Sequence, residues 1–202
     1  EELLKLNKNN INLLFTYGVM CTKVNQNEKA NNIFKKILLI NPDHKKSINY
    51  LYINLLKTNQ LKESEFIIDK LLKIEPEHYE ALRDKAYINY LKGSYSYAEK
   101  FINKAIKIKE EVFGLNVLGL IYIKSNEIER AIEIFKKAIS INDKYFDSYN
   151  NLGKCYIDKE NLNLEFEYFK KAYKINPNSE LTMINIGNVL SLKDKNKLAI
   201  NF

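Results

Sequence analysis

The sequence predicts an all-α fold, a solenoid of antiparallel helix pairs, and three observations carry that prediction. Near-identical segments recur about every 34 residues. Small residues recur at two fixed places within that period. Glycine (6) and proline (3) are scarce among 202 residues, which argues against long loops and turn-rich β architectures.

The period is read from five segments: ILLINPD (37–43), LLKIEPE (71–77), AIKIKEE (105–111), AISINDK (138–144) and AYKINPN (172–178). Their isoleucines, Ile40, Ile74, Ile108, Ile141 and Ile175, are spaced by 34, 34, 33 and 34 residues. Starting the register at Ile11 gives complete units 11–44, 45–78, 79–111, 112–145 and 146–179, then a truncated sixth, 180–202. Residues 1–10 read as the tail of a preceding unit, with Leu3 and Leu6 in phase with Ile37 and Ile40. LAINF at the other end falls midway through a second helix. A helical stack normally ends in a polar capping helix. With none visible, the chain reads as a fragment of a longer protein.

Within each unit the residue types specify two helices, A and B. Apolar residues follow helical spacing, as in Ile132, Phe135 and Ile139. The eighth position is small in Gly18, Ala86, Gly119, Gly153 and Gly187, and the twentieth in Ala30, Ser64, Ala98, Ala131 and Ala199. Backbones approach closely only where one side chain is small. The bulky twenty-fourth position (Phe34, Ile68, Ile102, Phe135, Phe169) fills the space beside that notch. Pro42, Pro76 and Pro177 break the chain between units, since proline cannot continue a helix. Tyr52 at an eighth position and Glu165 at a twentieth predict slightly opened packing, as do Lys85 and Asn89 on an A helix.

Composition narrows the function. The longest uncharged apolar run, Val112 to Ile123, is short of the roughly 20 residues a membrane helix needs. Cys21 and Cys155, 134 positions apart, form no disulfide framework and read as inert core thiols in a cytoplasmic protein. His44 and His78, at the final positions of successive units, read as surface-turn residues about 10 Å apart, too far to share a metal. No glycine-rich phosphate loop and no catalytic, metal or cofactor constellation is present, so the chain is not expected to be an enzyme. The net charge of +7 raises nucleic acid as a partner. Its lysines, however, form one row at the twenty-sixth position (Lys36, Lys70, Lys104, Lys137, Lys171), and only Arg83 and Arg130 join them. That pattern fits a solvated outer face better than a nucleic-acid platform, which adds arginine and stacking aromatics.

The units 112–145 (LNVLGLIY…ERAIEIFKKAISIND) and 146–179 (YNNLGKCY…FEYFKKAYKINP) resemble the tetratricopeptide repeat family, and the resemblance covers essentially the whole chain. It implies a right-handed superhelix whose A helices line a concave groove for a protein or an extended peptide. The family's groove positions fall on Phe15, Val19, Tyr50, Ile53, Arg83, Asp84, Tyr87 and Tyr90 in the first half, and on Asn116, Asn150, Asn151, Lys154, Asn185 and Asn188 in the second. The first set suits apolar anchors, although the tyrosines also suit a core. The second set suits backbone capture, since an amide both donates and accepts. Asn151 and Asn185, in register one unit apart, are similar to the asparagine ladders of O-linked N-acetylglucosamine transferases. The family's clamp for chaperone tails is not reproduced. Two other readings stand: the recruiting region of a glycosyltransferase- or sulfotransferase-like enzyme whose catalytic domain follows Phe202, and end-to-end self-association through uncapped ends.

Overall fold

A computed structural model of the chain describes residues 9–157 and 161–200, with side chains through Leu192. The expected tail of a preceding unit therefore lies almost wholly outside the described residues, as does Phe202. Among the described residues the chain forms helices and no strand. In order these are α1 (Ile11–Lys23), α2 (Asn27–Ile40), α3 (Lys45–Lys57), α4 (Leu61–Ile74), α5 (Tyr79–Leu91), α6 (Tyr95–Ile108), α7 (Val112–Lys124), α8 (Ile128–Ile141), α9 (Phe146–Ile157), α10 (Leu162–Ile175) and α11 (Glu180–Ile200). Odd-numbered helices are the A helices of the sequence register and even-numbered ones the B helices.

Two recurring turns shape the hairpins. After each of four A helices, the fifteenth residue of the unit takes a left-handed conformation: Asn25 (φ 59°), Asn59 (φ 57°), Gly93 (φ 74°) and Asn126 (φ 62°). Asparagine and glycine tolerate that region where other side chains strain. The next amide then bonds back five residues, as in Gln26 N to Cys21 O (2.9 Å) and Glu127 N to Tyr122 O (2.8 Å), which closes the helix end. Between units, Asn41, Asn142 and Asn176 each accept an amide two residues on, at 3.2, 3.0 and 3.2 Å, holding the turn into the next A helix. That helix is then capped from its side. Asn10 accepts from Leu13 N (3.1 Å), His44 from Ser47 N (3.3 Å) and His78 from Ala81 N (3.3 Å). The histidines are thus helix caps, half-buried, rather than plain surface-turn residues.

The chain divides into two compact units, Glu1–Ile88 and Asn89–Phe202, and α5 carries the division. In the first, α1 packs on α2 and α3 on α4, with α2 against α3 joining the hairpins. Its core gathers Leu14, Phe34, Ile48, Leu51, Tyr52, Ile68 and Leu71. In the second, α7 packs on α8 and α9 on α10, around Leu118, Phe135, Leu152 and Phe169.

The small-residue notch is filled as the spacing predicts. A Cβ placed on Gly18 would lie 2.7 Å from the Phe34 ring, one on Gly119 2.5 Å from Phe135, and one on Gly153 2.6 Å from Phe169. Each ring therefore rests directly on its partner's backbone. Where the twenty-fourth residue is isoleucine instead, the eighth carries a side chain, as in Tyr52 with Ile68 and Ala86 with Ile102. Volume is exchanged between the two positions. Consequently the opened packing expected at Tyr52 is absent: its side chain is fully buried, and its carbonyl accepts the Ser64 hydroxyl at 3.0 Å. Glu165 is buried as well, and Lys85 pairs with Asp69 from the neighbouring helix α4.

The last helix departs from the pattern. α11 runs for 21 residues, where the other A helices have 12 or 13. Its fifteenth position is Asp194 rather than asparagine or glycine, and the backbone continues through it as helix.

Candidate functional site

The A helices supply the candidate residues because they approach one another within each unit, α1 to α3 and α7 to α9. Residues at the fifth position of one helix and the sixth of the next meet across that approach, Phe15 with Tyr50 and Asn116 with Asn151. What they do there differs between the units.

In the first unit the meeting groups are aromatic. The Phe15 ring lies 5.5 Å from Tyr50 and 5.5 Å from the His44 imidazole, both edge-on, and 6.0 Å from Phe34. Tyr50 in turn lies 5.6 Å from Phe34. Edge-to-face pairs at this distance add stabilisation beyond area burial. Phe15 and Tyr50 are therefore the rim of the core, half-exposed rather than free anchors. Arg83 donates from Nε to Asp84 Oδ1 at 2.8 Å, and its guanidinium lies 5.6 Å from the Tyr79 ring. Asp84 is nearly buried; burial pushes its carboxyl up, against the opposing pull of Arg83. The Tyr52 phenol is pushed far up, first by burial and then by the Asp84 charge. Arg83 and Asp84 thus form one internal ion pair beside a buried phenol. Tyr87 is half-buried.

In the second unit the meeting groups are amides. Asn151 donates from Nδ2 to Asn116 Oδ1 at 3.1 Å, and both are buried. Asn150, 2% exposed, donates to Thr182 Oγ1 at 2.7 Å. Asn150 is therefore a tie between consecutive A helices and not an amide open to a groove, because a buried amide is stable only when bonded. Asn185 is half-buried and Asn188 exposed. Tyr90 stacks obliquely on Tyr95 at 6.1 Å. Lys154 is half-buried; burial pushes its ammonium down, Asp147 opposes this and Lys124 adds to it.

Two interactions lay outside the sequence reading. Asn54 donates to Thr22 at 2.9 Å, a second asparagine–threonine tie between consecutive A helices, at other positions of the repeat than Asn150–Thr182. Both pairs are separated by 32 residues, a signal visible in the sequence once threonine is sought beside asparagine. Arg130 donates to the Tyr122 hydroxyl at 2.5 Å, with its guanidinium 4.0 Å from that ring, and Tyr122 reaches Glu99 at 3.3 Å. This cluster joins α6, α7 and α8.

The lysine row is exposed; Lys137 of that row pairs with Glu110 of the preceding repeat, and Lys35, beside the row, pairs with Glu63 of the following one at 2.6 Å. Cys21 and Cys155 are buried free thiols. Among the described residues no group of three histidine, cysteine or carboxylate side chains could hold a metal, and no helix is long and apolar enough to cross a membrane.

Comparison with known proteins places this geometry. Residues 119–159 match the family model described as TPR repeat, and residues 146–179 that described as tetratricopeptide repeat. No curated protein matches the chain. Among solved structures it is similar to MamA (41-end) from Desulfovibrio magneticus RS-1, with a TM-score of 0.76 at 19% identity over 84% of this chain and 97% of that one. Pseudomonas aeruginosa PilF gives a TM-score of 0.76 at 14% identity over 95% and 87%. YrrB, a TPR protein with an unusual peptide-binding site, gives 0.70 at 17% identity over 90% and 94%. At these identities the likeness is one of fold, an α-solenoid of antiparallel helix pairs.

Proposed function

Because the chain belongs to the tetratricopeptide repeat proteins, we propose that it is a protein-interaction module that holds a peptide or protein segment on its A helices and performs no chemistry itself. The observation that carries this reading is the amide pair Asn151–Asn116. The mutual bond buries and fixes both side chains as a polar floor, and the amides left accessible on the next A helix are half-buried Asn185 and exposed Asn188, each able to donate to and accept from a peptide backbone. Asn185 stands in the same register one unit on. YrrB's peptide-binding site supports the reading by likeness of fold. The outer lysines support protein over nucleic acid, since Lys137 of the row and Lys35 beside it are engaged in pairs between repeats. We take the cytoplasm as the setting, where buried free thiols such as Cys21 and Cys155 stay reduced.

The test is a random peptide display screen against the purified chain. Enriched peptides are expected to lose at least tenfold in affinity on Asn151→Ala with Asn185→Ala, at unchanged helix content. No enrichment, or equal affinity for the double variant, overturns the reading.

One observation favours a second mode. On α11 the apolar side chains of Leu181, Met183, Ile184, Leu190 and Leu192 are 45–60% exposed. End-to-end association through these side chains predicts a scattering mass that rises with concentration; a constant monomer mass rules it out.

A further inference from the structure

Met183, Gly187 and Leu190 are spaced by four and three residues on α11, so they share one helix face. They stand at the fourth, eighth and eleventh positions of the repeat. In the first, second and fourth units each A helix packs on its own B helix, and the fourth and eleventh positions are buried: Leu14 with Cys21, Ile48 with Leu55, Leu115 with Tyr122. On α11 the corresponding Met183 and Leu190 are 46% and 45% exposed. No described residue lies within 4 Å of a Cβ on Gly187, whereas Gly18, Gly119 and Gly153 each carry a phenylalanine ring.

The backbone explains the difference. Four A helices end before a left-handed fifteenth residue, but α11 carries Asp194 there and runs on as helix to Ile200. Residues 195–200 keep the B-helix register, with Ala199 in line with the buried Ala30, Ala98 and Ala131. Along one straight helix Ala199 stands about 18 Å from Gly187, so a single chain does not bring the two together. The A half is itself held in place, because α11 packs on α10 and Thr182 accepts from Asn150 at 2.7 Å.

One helix thus carries an uncovered A face and a B half with no A helix of its own, which makes it complementary to itself. Two copies crossed antiparallel satisfy both at once, and a twofold axis closes the pair. We propose that α11 pairs with α11 of a second copy, each chain's helix beyond Asp194 lying over the other's Met183, Gly187 and Leu190. This rests on the self-association reading above and is independent of peptide binding. Closed by symmetry, the contact ends at a dimer and does not grow into a stack.

The experiment is sedimentation of the full chain over a range of concentrations. The mass is expected to rise and level at twice that of the monomer. Gly187→Ala weakens the dimer at least tenfold without unfolding the dilute chain, since a Cβ in the three covered notches lies only 2.5–2.7 Å from the ring above it. Asp194→Gly, which restores the kind of turn residue found at Gly93, gives a monomer at every concentration. Association that both variants leave unchanged, or a mass that climbs past the dimer, overturns this inference and leaves end-to-end association standing. An unaltered chain that stays monomeric at every concentration overturns both.

Discussion

The first unit joins its A helices with rings, and the second joins its A helices with amides. Phe15, Tyr50, Phe34 and His44 form a contact that is complete in itself, because apolar surface once buried needs nothing more. Asn116, Asn151, Asn150 and Thr182 occupy comparable places, but amides keep unspent donors and acceptors. One register thus supports two kinds of junction: a closed one built of rings, and a polar one built of buried amides that hold the helices by directed bonds.

The comparison makes an ordered set of predictions, each read by chemical denaturation. Phe34→Ala should cost the most, about 4 kcal/mol, because the ring fills the Gly18 notch and also supports Phe15 and Tyr50. A loss below about 1 kcal/mol would break the ring junction as described. Gly119→Val should cost about 3 kcal/mol through collision with Phe135, and Phe135→Ile on that background should recover part of it. No recovery would contradict the exchange of volume seen in Tyr52 with Ile68. Thr182→Val, which strips Asn150 of its acceptor, should cost about 2 kcal/mol, less than the aromatic loss. An equal or larger cost would reverse the ranking of the two junctions. Asn126→Ala should cost about 1 kcal/mol while Asn126→Gly is neutral, since only the left-handed turn is at stake. The smallest effect is a gain. Gly187→Ala should stabilise by about 0.5–1 kcal/mol, because no described residue lies within 4 Å of the added methyl and alanine is the better helix former.

Much of this was legible in the sequence, and the reasons are physical. The start of each A helix from Ile11 to Glu180 follows from a period fixed by packing, since a notch and its filler must recur together. The asparagines were harder. Several hold single structural roles: the left-handed turns at Asn25, Asn59 and Asn126, and the inter-unit turns at Asn41, Asn142 and Asn176. Their fixed places in the period were the available signal. Candidate groove residues are legible only as positions. Which of them are consumed internally depends on side-chain pairing between helices 32 to 35 residues apart, as with Asn150 and Asn151, and a single sequence does not display that. His44 and His78 likewise sit at the correct place, but their capping role needs the ring's approach to Ser47 and Ala81 amides.

The claim that most depends on this geometry is that ligand meets the amide face of the second unit. Amide chemical-shift mapping of isotopically labelled protein, titrated with a peptide enriched on the intact chain, tests it directly. The expected result is that the largest changes fall on Asn116, Asn151, Lys154 and Asn185, with the outer lysines Lys104, Lys137 and Lys171 unmoved. Shifts concentrated on those lysines, with the amide face silent, would contradict the account.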